Sequence, residues 1–81
     1  MRPVRVLIAD DHIPYRWAIL EELSGYPAVE VVEEASDGNE AVEKAKALRP
    51  DVVLMDLNMP NCSGLDATRR LQDEVPETKS S

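Results

Sequence analysis

Two short apolar runs break off at aspartate: Val4-Arg5-Val6-Leu7-Ile8-Ala9 stops at Asp10-Asp11, and Val52-Val53-Leu54-Met55 stops at Asp56. A short β-branched run with so little charge reads as a strand covered on both faces, the kind that parallel sheets contain. Between these runs the pattern changes to helical spacing. Ile13, Trp17, Leu20 and Leu23 recur at three and four residues, which predicts a helix with an apolar, core-facing stripe. Pro14 suits its first turn, and Ser24-Gly25-Tyr26-Pro27 stops it. Val29-Glu30-Val31-Val32-Glu33-Glu34 reads as a second, more charged strand of the edge type. Asp37 with Glu40 three residues on forms a capping-box-like start for a helix with Ala41, Val42, Ala45 and Leu48 on its apolar face, ended by Arg49-Pro50. Ser63 caps a last helix carrying Leu65, Leu71 and Val75. Residues 76–81 run out without a further strand.

The order is therefore βαβαβα, with no internal repeat or low-complexity segment. Such alternation implies right-handed crossovers and one doubly wound α/β domain with a parallel sheet and helices on both faces. Composition narrows the function. Nine Lys plus Arg against sixteen Asp plus Glu give a net charge of −7, and the cations are scattered, which disfavours nucleic-acid binding. One cysteine, Cys62, excludes an internal disulfide, and no Cys/His cluster suggests zinc. No apolar run approaches the ~20 residues of a membrane span. The start Met1-Arg2-Pro3-Val4 lacks the marks of a signal peptide, so a cytoplasmic setting is expected. With 43% hydrophobic residues the chain is foldable, although a domain of 81 residues buries a thin core.

The acids carry the chemistry. In a doubly wound sheet the first and third strands are neighbours at the switch point, and ligands bind beyond their carboxyl ends. Asp10, Asp11 and Asp56 then share one pocket. Three like charges repel unless a cation offsets them, and an all-oxygen ligand set favours a hard divalent ion such as Mg2+. A carboxylate in such a pocket can act as a nucleophile towards phosphorus. Each acid alone reads more readily as a loop acid or a helix cap, Asp11 above all; it is the three together that argue for a pocket.

The motifs Asp10-Asp11-His12, Ala35-Ser36-Asp37-Gly38-Asn39-Glu40-Ala41, Arg49-Pro50-Asp51-Val52-Val53-Leu54-Met55-Asp56 and Met55-Asp56-Leu57-Asn58-Met59-Pro60 with Gly64 resemble the receiver domain of two-component response regulators, and more narrowly the NarL/LuxR-type transcriptional regulators. The resemblance spans nearly the whole chain. It implies the flavodoxin-like, CheY-like doubly wound sheet, here cut to strand order 2-1-3, with residues 1–75 as the truncated receiver and 76–81 as a tail where a fourth strand would begin. It implies that Asp56 is the phosphoacceptor for a sensor histidine kinase, so that the chain accepts phosphate and is not a turnover enzyme. It further implies that Asp10, Asp11, Asp56 and the backbone carbonyl of Asn58 hold Mg2+, with Met59-Pro60 and Gly64 shaping the loop and Gly64 supplying backbone freedom.

The family's switch hydroxyl and its phosphate-binding lysine have no counterpart here: Lys79 falls where the fourth strand would start, and Thr78, Ser80 and Ser81 end no apolar strand. Impaired phosphotransfer is the expected consequence, together with a homo-oligomer formed through the third-strand edge or the first helix. No DNA-binding region is present in these residues. The alternatives are an interaction module that self-associates without phosphotransfer, and a phosphatase of the haloacid dehalogenase type. The latter needs a second acid two residues after the nucleophile, where His12 and Ile13 stand instead. His12 reads as a loop residue beside the pocket, Cys62 as an unactivated thiol, Trp17 as core, and Arg69-Arg70 and Glu33-Glu34 as solvated charge.

Overall fold

The computed structural model describes residues 2–56, 59 and 63–80. Strands β1 (Val4–Ala9), β2 (Val29–Ala35) and β3 (Val52–Met55) alternate with helices α1 (Ile13–Leu23), α2 (Gly38–Leu48) and α3 (Gly64–Glu74), and a short β4 (Lys79–Ser80) follows. All pairings are parallel and the order is β2-β1-β3-β4, so the expected 2-1-3 arrangement is present. The central strand, β1, is the most buried, since Val6, Leu7, Ile8 and Ala9 are all shielded. Its register against β2 slips by one residue between Val6 and Leu7, which brings Ala9 level with Ala35. Leu7, Val42, Val53, Leu71 and Val75 pack between the sheet, α2 and α3.

The helices show which sequence signals act. Asp37 caps α2 by accepting the Glu40 N–H at 2.8 Å, and the Glu40 carboxylate turns instead to Lys44 one turn on. The helix ends on Arg49 in the left-handed region (φ 50°), and Arg5 reaches across to its last carbonyls, those of Leu48 and Arg49. Ser63 caps α3 through the Asp66 N–H at 3.2 Å.

Four expectations need correction. Trp17 is 65% exposed rather than core, and α1 has no buried residue at all. The helix is turned so that Arg16, Ile19, Leu20 and Leu23 lie inward, while Ile13 and Trp17 ride on the flank of that arc. Leu65 also points outward, and Ala67 takes the buried position on α3 with Leu71. Gly64 is a buried first residue of α3 with no positive φ, so it needs no special backbone freedom. Residues 76–81 do reach the sheet: Lys79 and Ser80 pair with Val52 and Val53. The buried Thr78 hydroxyl holds this segment by donating to the Pro50 carbonyl at 2.6 Å, and the Lys79 N–H donates to the Asp51 carbonyl at 3.0 Å.

Candidate functional site

The last rungs of the sheet ladder place the acids. The Asp10 N–H donates to the Ala35 carbonyl at 3.0 Å, and the Asp56 N–H donates to the Ala9 carbonyl at 2.9 Å. Two neighbouring parallel strands thus deliver their first post-strand residues to the same edge. There Asp10, Asp11 and Asp56 each offer a carboxylate oxygen, all within 4.8 Å of one another. Asp10 is buried at 6% exposure, Asp56 half-buried and Asp11 exposed, so the cluster opens outward.

The three aspartates singled out in the sequence are therefore brought together. The fourth candidate, Asn58, lies outside the described residues, as do Pro60 and Cys62. Met59 is described, and its side chain is anchored in the core at 7% exposure. Asp11 does not cap α1. His12 occupies the N-cap position without a side-chain bond, and its N–H donates at 2.8 Å to Asp10 Oδ1. His12 itself is exposed.

An all-carboxylate donor set that converges so tightly fits a hard divalent cation, which takes oxygen ligands and keeps part of its water. It does not fit zinc, whose sites draw on imidazole or thiolate.

One contributor escaped the sequence reading. Arg16 is the inward-facing cation of α1, with 11% of its side chain exposed. Its Nη1 donates to the Asp10 carbonyl at 2.8 Å, the Ala35 carbonyl at 3.1 Å and Ser36 Oγ at 2.9 Å. Its Nε forms an ion pair with Glu34 Oε1 at 2.9 Å without an aligned hydrogen bond. The only hint in the sequence was a charge inside an apolar arc.

In a doubly wound parallel domain ligands bind beyond the carboxyl ends of the strands at the switch point, and the three acids lie there. The sequence matches the family model described as "Response regulator receiver domain" over residues 6–80, and the chain belongs to that family. Phosphorylation and magnesium are typical of it. The chain is 50% identical over 74 residues to a protein-glutamate methylesterase/protein-glutamine glutaminase of Myxococcus xanthus, covering 91% of this chain and 21% of that protein. It is 45% identical over 76 residues to the response regulator GacA of Pseudomonas viridiflava, covering 94% and 36%. Among solved structures, the receiver domain of NarL from Mycobacterium tuberculosis superposes with a TM-score of 0.94 at 36% identity, covering 99% of this chain and 64% of that one. The response regulator domain of Thermotoga maritima CheB gives 0.93 at 39% identity, covering 98% and 58%. The chain thus spans well under half the length of these curated relatives.

Proposed function

We propose that this chain is the phosphoaccepting portion of a response regulator of the NarL/LuxR transcriptional type, with Asp56 as the acceptor and a sensor histidine kinase as the donor. The observation that carries this reading is the convergence of Asp10, Asp11 and Asp56 at the carboxyl ends of β1 and β3. In the transfer, a lone pair of the Asp56 carboxylate forms a P–O bond. The phosphorus–nitrogen bond of a phosphohistidine breaks, and the imidazole leaves with the electron pair. Asp10, Asp11, Asp56 and the Asn58 backbone carbonyl would hold Mg2+, which offsets charge on the phosphoryl oxygens when bound. Asp10 is kept oriented for this by the His12 N–H.

The chain accepts phosphate and does not turn over, and the reading implies a cytoplasmic setting. No helix among the described residues is long and apolar enough to cross a membrane. The family's switch hydroxyl and lysine have no counterpart in these 81 residues. The isolated polypeptide is therefore expected to accept phosphate about 10²–10³ more slowly than a domain that has them. The transcriptional subtype is supported by the Bacillus subtilis transcriptional regulatory protein LiaR at 43% identity and by the likeness to the NarL receiver domain. The net charge of −7 disfavours direct nucleic-acid contact by this portion.

Intact mass measured after incubation with Mg2+ and a small acyl phosphate tests the reading. A labile phosphoryl adduct, absent from Asp56→Asn, is expected; no adduct on the wild-type chain, even at long times, contradicts it. A second reading is a self-associating interaction module that does no chemistry, and it has one observation in favour: Ile13, Tyr15 and Trp17 stand exposed on α1. Sedimentation separates the two, since this second reading needs a homo-oligomer together with the absence of an adduct.

A further inference from the structure

We infer that Arg16 is a positioning residue for the cation site, acting through the backbone of Asp10 rather than by touching the ion. This rests on the reading of the acidic cluster given above. Burying a guanidinium is costly unless its donors are met, and an inward position on a helix normally goes to an apolar side chain. Here the buried cation meets acceptors on three pieces of chain that surround the pocket: the end of β1, the end of β2 and the loop after it.

The Asp10 carbonyl is the informative acceptor. It belongs to the planar peptide that joins Asp10 to Asp11, so fixing its oxygen fixes that plane. The orientation of the plane sets where the Asp11 Cα, and with it the Asp11 side chain, departs from the strand. The Asp10 side chain is held separately, by the His12 N–H on Oδ1. Asp11 is exposed, so among the described residues the peptide plane is its main constraint. The same Nη1 also holds the Ala35 carbonyl, which accepts the Asp10 N–H. Both faces of the Asp10 backbone are thereby tied to one side chain. Glu34 balances the charge of Arg16, so the effect is geometric rather than a long-range field.

Outer-shell contacts that orient metal ligands are typically worth tenfold or more in affinity. The test is Mg2+ titration of the full 81-residue chain by calorimetry, with urea unfolding run on each variant. Arg16→Ala should weaken Mg2+ binding about tenfold, and Arg16→Lys, which keeps a donor but loses the fork, should fall between it and the wild type. The difference should persist at high salt. Arg70→Ala, which breaks one ion pair from α3 to Glu43 of α2 and one within α3 to Glu74, neither of them with the three acids, should lower stability and leave Mg2+ affinity unchanged. Should Arg16→Ala fail to fold, Arg16→Lys carries the test against the same control. Wild-type affinity in a folded Arg16 variant overturns the inference. A wild-type chain that binds no Mg2+ overturns the functional reading and this one with it.

Discussion

Asp51 and Asp56 bracket the same strand, β3, and the structure uses them in opposite ways. At the amino end, the Asp51 carboxylate accepts the Arg5 N–H at 2.8 Å and pairs with the Arg2 guanidinium at 3.0 Å. Its own N–H and carbonyl tie β1 and β4 to the strand. This acid is saturated with donors. The Arg5 N–H, and after it the Arg2 guanidinium, hold its carboxyl below the ordinary 3.8. At the carboxyl end, Asp56 meets two further acids. One end of the sheet spends its aspartate on joining strands, and the other assembles like charges that a bound cation would offset. The difference between a structural and a chemical aspartate lies in the company it keeps.

The comparison breaks most visibly at the acceptor. Asp56→Asn should abolish the acyl-phosphate adduct altogether, while Asp51→Ala retains it; mass spectrometry of both variants decides. Cation binding comes next. Mg2+ at a hundredfold its Kd should add about 2.7 kcal/mol to the stability of the wild type and of Asp51→Ala. It should add nothing to Asp10→Asn, as read by urea unfolding with and without the ion. Without Mg2+, Asp51→Ala should melt lower than the wild type because the Arg5 N–H and the Arg2 guanidinium lose their acceptor, whereas Asp56→Asn should melt less far below it, since that change also relieves repulsion among the acids.

Acid should find the structural carboxylates. Asp51, Glu33, Glu74 and Glu77 are all held below their ordinary values. Backbone N–H donors lead for Asp51, Glu33 and Glu77, and a Lys46 hydrogen bond leads for Glu74. A depressed folded value means that these groups contribute stability above their unfolded value and lose it as pH falls through the folded one. The melting temperature should therefore stay level down to about the ordinary carboxylate value of 4.5 and decline below it. Removing Asp51 should flatten that decline slightly. The smallest effect concerns α1: Trp17→Ala should change stability by less than about 0.5 kcal/mol, as for an exposed side chain. A core tryptophan would cost several times more.

The parts of the fold that were legible in the sequence are those where one residue type has one use. β1 and β3 stood out because a strand covered on both faces admits few charges. The three acids stood out because they end those strands. The rotation of α1 was not legible, since spacing at three and four residues is shared by adjacent arcs of a helix. Ile13-Trp17-Leu20 looks more apolar than the arc that faces inward, which carries Arg16. Arg16 was hidden for the same reason and for a second one: its partners are backbone carbonyls, which leave no mark in a sequence. The residue pattern hid β4, whose two residues show no apolar alternation, and only the family resemblance marked where it would begin; the Thr78 hydroxyl and the Asp51 carbonyl hold the strand in place.

Amide chemical shifts recorded during a Mg2+ titration test the central claim most directly, because they report on both ends of β3 at once. The account predicts shifts confined to residues 9–12, 35–36 and 55–59, with those around Asp51 and Lys79 unmoved. Shifts at the Asp51 end, or none at either end at millimolar Mg2+, would contradict it.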